Sequence, residues 1–179
     1  MSVKNDKNIP YYLIAAGLFI LLKFAFRVAD NNDLIFLLKP IDTLVGLLTG
    51  SHSVYSLENG FFHENLNIII DKSCSGFNFW VLSFLLFTYL TVRYFNKTLN
   101  KILTIPASLI GAYLLTIFVN TSRIFASIVI QRQTQNIFLN QQHIIHEVIG
   151  IITNLSFLVL AYIVIEKFLR NRKQNEKFT

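Results

Sequence analysis

The sequence predicts an all-α integral membrane protein with four transmembrane helices, or five if a shorter apolar run also crosses the bilayer. Its 179 residues are 53 % hydrophobic and only 15 % charged, and the mean hydropathy is +0.50. Because a soluble domain carries roughly a quarter charged residues, this chain lacks the polar groups needed to cover a surface that faces water. The length fits one domain over residues 1–179.

Four apolar runs approach the ~20 residues that a bilayer core requires, at residues 11–29, 77–92, 102–119 and 148–168. A fifth run, at 34–48, contains Lys39, Pro40 and Asp42, and we expect it to lie at the membrane interface as a broken amphipathic segment. Residues 51–74 have Gly and Asn between short β-branched and aromatic runs, which is typical of a small extramembrane loop that can hold a hairpin.

The basic residues predict the orientation of the four spans. Ten of the sixteen Lys and Arg residues fall on one side of them. These residues are Lys4, Lys7, Arg93, Lys97, Lys101, Lys167, Arg170, Arg172, Lys173 and Lys177. The positive-inside rule places that side and both termini in the cytoplasm. Residues 30–75 and 121–147 then lie on the extracytoplasmic side of the cytoplasmic (inner) membrane.

The net charge of +6 raises the question of a nucleic-acid partner. The basic residues form short flanks between apolar runs, and the sequence has no basic face and no DNA- or RNA-binding motif. We therefore expect the lipid bilayer as a partner, and no nucleic acid.

Residue types suited to catalysis fall at the extracytoplasmic ends of three successive spans: Cys74, Arg123 and His146. Cys74 is the single cysteine, so it acts as a thiol or as a bond to another chain. A thiol attacks as its thiolate, which a helix N-terminus or a nearby cation favours, and Ser75 and Gly76 predict that Cys74 lies in the first turn of a helix. Unpaired N–H groups there can also stabilise an oxyanion. The alternative is a small, inert, buried side chain.

Arg123 lies in an apolar stretch, where an arginine costs ~2.5–3.5 kcal/mol on insertion scales unless it is paired or hydrated. Asn120, Arg123 and Ser127 share one helical face at i, i+3 and i+7 spacing, which predicts a water-accessible polar stripe. The functional interpretation is a permanent cation that holds a thiolate and a developing oxyanion. Snorkelling of the arginine to the headgroups is the structural alternative.

The fourth span begins with His143 and His146, and Gly150 follows one turn later. A histidine beside a thiolate can act as general base and acid, but hydrogen bonds at an interfacial helix start also explain either residue. A metal site made from both histidines with Cys74 and His63 matches no standard zinc spacing. We therefore expect no metal and no cofactor.

With these residues in this order, the chain resembles the exosortase/archaeosortase family of membrane enzymes, and in particular its short exosortase K-like form. The resemblance rests on CSG at 74–76, on NTSR at 120–123 as an N-x-x-R pattern, and on HEVIG at 146–150 as H-x-x-x-G. It extends from about residue 38 to about residue 158. Many members of the family have more spans than this chain.

The resemblance implies a thiol-dependent peptidase-transpeptidase that cleaves the C-terminal sorting signals of exported proteins, each with a short motif, a transmembrane helix and a basic tail. It implies that Cys74 forms an acyl-thioester, that Arg123 donates a proton or stabilises the oxyanion, and that His146 is the third catalytic residue. The supporting residues are Ser75, Gly76, Asn120 and His143. A non-enzymatic assembly or accessory subunit and a metal- or haem-binding membrane protein are the rival hypotheses.

Overall fold

The structure is a computed structural model. It describes the backbone of residues 6–95, 98–134 and 142–175, and the same side chains except those of residues 6, 131–147 and 175. In chain order the described α-helices and strands are α1 (Ile9–Val28), α2 (Ile35–Thr49), β1 (Val54–Ser56), β2 (Gly60–His63), β3 (Ile68–Ile70), α3 (Phe77–Tyr94), α4 (Thr98–Thr134) and α5 (Gln142–Asn175).

Within the described ranges, four helices are long and apolar enough to cross a bilayer: α1, α3, α4 and α5. At 1.5 Å per residue, the 20 residues of α1 match a hydrocarbon core of ~30 Å. Only 6 % of the apolar stretch of α1, and 6 % of that of α5, is buried inside the protein, as expected of helices that contact lipid. The predicted all-α membrane fold with four such helices is confirmed.

The run at 34–48 is one continuous helix, α2, and not the broken segment that the sequence predicts. Pro40 lies inside this helix, where a proline costs ~3 kcal/mol. Burying each large apolar side chain recovers ~1.5–3 kcal/mol, so the packing of α2 outweighs that cost. Its fully buried side chains are Leu37, Leu38, Ile41 and Val45. With 15 residues α2 is about 22 Å long, shorter than the bilayer core.

Residues 51–74 contain a three-stranded antiparallel sheet in the order β1-β2-β3, one strand more than the expected hairpin. The register pairs Val54 with Phe62 across β1 and β2, and Phe62 with Ile69 across β2 and β3. Asn67 adopts a left-handed conformation (φ 51°) between β2 and β3, which Asn tolerates better than most residues. The helix α2 contacts β2.

The contacts divide the chain into two compact units. The first unit consists of Met1–Arg27, Asn78–Leu115 and Leu158–Thr179, and the second of Val28–Phe77 and Thr116–Phe157. In the first unit, helices are joined by side-chain hydrogen bonds such as Lys23 Nζ to Asn78 Oδ1 (2.7 Å) and Trp80 Nε1 to the Leu109 carbonyl (3.1 Å). The second unit contains α2, the sheet and every candidate catalytic residue.

Candidate active site

Cys74 is the last residue of a short 3-10 turn, Lys72–Cys74, which we call the thiol turn. Asp71 caps this turn, because its Oδ1 accepts hydrogen bonds from the Ser73 N–H (3.0 Å) and the Ser73 hydroxyl (2.6 Å). The Cys74 side chain is partly buried, and its Sγ lies 3.8 Å from Ser73 Oγ and 3.9 Å from the Ile69 carbonyl oxygen. The thiol is therefore held at the edge of the small sheet.

The thiol turn is tied to the segment that follows α1. The Lys72 N–H donates to Asn31 Oδ1 (2.8 Å), and Lys72 Nζ donates to the Ala29 carbonyl (2.6 Å). Asn31 is buried, and its Nδ2 also donates to the carbonyls of Leu57 and Glu58 (3.1 and 3.2 Å). One amide side chain thus links the thiol turn to the loop between β1 and β2.

The thiol turn lies ahead of α3 and not in its first turn, which corrects the expectation for Cys74. The helix α3 begins at Phe77, and Gly76 separates it from the thiol turn by a left-handed backbone at φ 68°. Ser75, which is 1 % exposed, donates to the Lys72 carbonyl (2.8 Å) and accepts from the Phe77 N–H (3.3 Å). That N–H already has a partner, so it is not one of the unpaired donors expected for an oxyanion.

Close approach at Gly76 brings the thiol turn against α4. A Cβ on Gly76 would lie 3.0 Å from Thr116 Cγ2 and 3.1 Å from Asn120 Cγ, so only glycine allows this contact without displacement. Asn120 is 2 % exposed, and its Nδ2 donates a hydrogen bond to the Cys74 carbonyl. The supporting residues Gly76 and Asn120 therefore position the cysteine on α4.

The thiol opens into a small apolar pocket of about 180 Å³ between β3 and α4. Among the described residues, Cys74, five isoleucines and one serine line it, and no charged residue does. The isoleucines and the serine are Ile68, Ile69, Ile70, Ile124, Ile128 and Ser127. The α4 residues in this set begin one turn after Asn120, so the pocket continues along the helix face that holds the thiol turn.

Arg123 belongs to the same stretch of α4 and lies against α5. A Cβ on Gly150 would lie 3.4 Å from Arg123 Cδ and 3.6 Å from Nη1, so the arginine side chain packs on that glycine. Four polar atoms here are buried and have no hydrogen-bond partner among the described residues: Asn120 Oδ1, Thr121 Oγ1, Arg123 Nε and Ser127 Oγ. The predicted polar stripe is present, but these atoms are enclosed in protein and not open to water.

For His143 and His146 the structure describes the backbone but not the side chains. His143 and His146 belong to α5, and both side chains lie outside the described residues. Gly150 follows His146 by four residues, so the two share one face of α5. The structure thus brings the Cys74 turn onto α4, and Arg123 onto the turn of α5 that follows His146.

A second polar cluster, missed at the sequence level, joins α2 to β2. His63 is 1 % exposed, with Nε2 2.9 Å from Asp42 Oδ1 and Nδ1 2.8 Å from Ser51 Oγ. At the level of sequence, Asp42 only interrupts the apolar run at 34–48. Its negative charge is the signal that points to the cluster, because a carboxylate among buried apolar side chains needs a partner.

The polar atoms of this cluster form a continuous chain. Thr49 donates its hydroxyl proton to the Val45 carbonyl (2.7 Å), and Thr49 Oγ1 lies 2.7 Å from Ser51 Oγ. Ser51 Oγ in turn lies 2.8 Å from His63 Nδ1, so Ser51 links the last residue of α2 to the strand β2. The cluster therefore braces α2 against the sheet.

No group of three or more His, Cys, Asp or Glu side chains in the described part of the chain is placed to hold a metal ion. His63, which the sequence offers as a ligand, has both ring nitrogens in contact with Asp42 and Ser51. Metal coordination at His63 would first have to break these contacts.

Comparisons with protein-family models, with curated proteins and with solved structures give no match to this chain. A function is therefore inferred from the residues and contacts of the chain itself.

Proposed function

We propose that this protein is a membrane cysteine peptidase-transpeptidase, resembling the exosortases, that cleaves C-terminal sorting signals of exported proteins. The observation that carries the proposal is the contact between the thiol turn and α4. Asn120 donates to the Cys74 carbonyl, and Arg123 lies one turn further along that helix. The N-x-x-R pattern therefore contains both the residue that holds the cysteine and the cation that assists it.

The proposed reaction begins with attack of the Cys74 thiolate on the carbonyl carbon of the scissile peptide bond. A carbon–sulfur bond forms, and the carbonyl oxygen becomes an oxyanion, which the Arg123 guanidinium stabilises. The carbon–nitrogen bond then breaks as His146 gives a proton to the departing amine. The products are an acyl-thioester on Cys74 and a released C-terminal helix with its basic tail.

The second half of the reaction releases the acyl group. An acceptor amine or a water molecule attacks the thioester carbonyl, and His146 takes a proton from it. The carbon–sulfur bond breaks and the thiolate re-forms, so an amine acceptor gives transpeptidation and water gives hydrolysis. No metal or cofactor takes part in this scheme.

The basic flanks support an orientation in which this chemistry occurs outside the cytoplasm. Ten of the sixteen Lys and Arg residues lie on the side assigned to the cytoplasm by the positive-inside rule. Cys74, Arg123 and His146 then lie at the extracytoplasmic face, where an exported protein presents its sorting signal.

The experiment is to co-express each variant with an exported reporter that carries a motif, a transmembrane helix and a basic tail, and to follow loss of the helix by mass. We expect Cys74→Ser to abolish processing, and Arg123→Lys to reduce it roughly 100-fold or more because lysine lacks the planar fork of donors. Processing by the His146→Ala variant should fall nearly as far, and processing by the His143→Ala variant should fall less. Equal processing of the reporter by wild type and by Cys74→Ser would rule out the thiol mechanism.

Matched substitutions control for the effect of altering a membrane helix. Arg27→Lys changes an exposed arginine of α1, and His52→Ala removes an exposed histidine, so both should process the reporter like wild type.

A second pair of variants tests the contact between Arg123 and α5. Gly150→Leu should displace the Arg123 side chain, whereas the leucine of Gly17→Leu enters open space. Loss of processing in Gly150→Leu and retention in Gly17→Leu would support the role of Arg123. Equal activity of these two variants would contradict it.

A further inference from the structure

The strand β3 has one edge that no other described strand pairs. It is an edge strand of the sheet, with β2 on its other side. Besides the strand pairing, no backbone–backbone hydrogen bond among the described residues involves Ile68, Ile69 or Ile70, and the Ile69 carbonyl accepts from the Cys74 thiol. Unpaired N–H and C=O groups on an edge strand can bind an extended peptide as an additional strand.

The thiol lies beside this strand. Cys74 Sγ is 3.9 Å from the Ile69 carbonyl oxygen. Neighbouring strands lie ~4.7–4.9 Å apart, so the backbone of a peptide added next to β3 would pass within contact distance of the sulfur. A nucleophile needs its carbonyl carbon at about 3–3.5 Å before attack, which this spacing allows.

The pocket beside the thiol is small, and the described residues that line it are uncharged. They are five isoleucines and Ser127, together with Cys74. The volume of about 180 Å³ exceeds the ~150 Å³ cavity that admits benzene in another protein, so an aliphatic side chain as large as leucine fits. A charged side chain would lose its hydration there without finding an opposite charge among the described residues that line the pocket.

We propose that the substrate binds as an extended peptide along the free edge of β3, and that an uncharged aliphatic side chain next to the scissile bond enters the isoleucine pocket. This inference rests on the proposed function, since it names the substrate class of that site. It assigns Ile69 to backbone pairing and Ile128 to specificity.

The test uses peptidyl chloromethyl ketones on the purified full-length protein in detergent. The Cys74 thiolate displaces chloride from these reagents, which forms a thioether and releases a chloride ion. Alanyl-alanyl-leucyl and alanyl-alanyl-glutamyl reagents are compared, and each labelling rate is divided by the rate with iodoacetamide. We expect the leucyl reagent to react at least ~10-fold faster. Methylation of a backbone nitrogen of the leucyl reagent should slow labelling roughly 3-fold or more, because it removes a donor for β3.

Two substitutions of Ile128 on α4 test the pocket itself. Ile128→Trp should fill it and remove the leucyl preference, while Ile110→Trp, at an exposed position of the same helix, should keep it. Ile128→Ala enlarges the pocket at less risk to folding, and should speed labelling by a bulkier naphthylalanyl reagent relative to the leucyl one. Rates with iodoacetamide report whether each variant still presents the thiol.

Labelling does not require catalytic turnover, so the proposed binding mode and the proposed peptidase function can fail independently of each other. Equal rates for leucyl and glutamyl reagents in the wild type would overturn the pocket, and insensitivity to backbone methylation would overturn the strand pairing, even if a tailed reporter is processed. The expected selectivity without any processing of the reporter would instead support the binding mode and contradict the peptidase function.

Discussion

Gly76 lies where the thiol turn meets α4, and its missing side chain sets how closely they approach. The neighbouring atoms of Thr116 and Asn120 lie 3.0 and 3.1 Å from where a Cβ would be. The left-handed backbone at φ 68° adds a second requirement, since it costs other residues roughly 1–2 kcal/mol. The contact between the thiol turn and α4 therefore depends on glycine at this residue.

A comparison of Gly76→Ala with Gly50→Ala separates an effect on the candidate site from an effect on stability. Gly50 has nearly the same backbone, with φ 67°, but no atom within 4 Å of its Cβ position. Both variants should lose roughly 1–2 kcal/mol of stability, measured by thermal unfolding in detergent. Only Gly76→Ala should also reduce reporter processing, by roughly 10-fold or more, because it pushes Asn120 away from the Cys74 carbonyl. The same processing rate in both variants would contradict this role.

Some of the site can be predicted from residue types and some cannot. Cys74, Asn120 and Arg123 stand out in the sequence because polar or reactive groups are costly in apolar surroundings, and they occur at the ends of apolar runs. The partner of each depends on which helix faces overlap in three dimensions. The contact between Asn120 and Gly76 therefore appears only in the structure.

At the scale of elements, the cluster around His63 connects α2 to the sheet that forms one wall of the isoleucine pocket beside Cys74. His63 contacts Asp42 on α2, and its strand β2 pairs with β3 through Ile68. Ile68 and its neighbours in β3 line the pocket beside Cys74. The orientation of this wall therefore depends on a polar contact made by the neighbouring strand.

His63→Ala should destabilise the protein by roughly 2–4 kcal/mol, because it leaves a buried carboxylate and a buried hydroxyl without their partner. His52→Ala, at an exposed position between α2 and β1, is the matched control and should change the stability little. Thermal unfolding in detergent measures both, and the His63 variant should unfold several degrees lower. Identical unfolding temperatures would show that the cluster does not support the fold.

The helix α2 and the sheet show where local sequence patterns fail. Lys39, Pro40 and Asp42 predict a broken segment, because proline and charge both interrupt a helix in an apolar run. Four fully buried side chains and the contact of Asp42 with His63 hold the helix together instead. Tertiary packing of this kind is not visible in a window of neighbouring residues.

At the scale of the whole molecule, the four membrane helices could be predicted because length and hydrophobicity alone decide them. Their ends could be predicted less well: the third apolar run was expected at 102–119, whereas α4 extends over Thr98–Thr134. The extra turns of α4 carry Asn120, Arg123 and Ser127, so the helix continues beyond its apolar stretch into the candidate site. Hydrophobicity marks the lipid-facing part of a helix and not its full length.

The orientation of the four spans is tested by single cysteines in a Cys74→Ser background. Cysteines that replace Glu58 and Gln135 should react with an impermeant thiol reagent on whole cells, and one that replaces Lys97 should not. Permeabilised cells provide the control that each cysteine is able to react. Labelling at 97 with protection at 58 and 135 would reverse the orientation and place the candidate site at the cytoplasmic face.

The most direct test of the central claim is the intact mass of the full-length protein after it has been mixed with the tailed reporter and quenched in acid. We predict a covalent adduct equal in mass to the N-terminal fragment of the reporter, attached at Cys74 and released by hydroxylamine, which cleaves thioesters. Cys74→Ser should show no such hydroxylamine-sensitive adduct. Loss of the reporter helix without any adduct on the wild type, at the same rate in Cys74→Ser, would contradict the acyl-thioester mechanism.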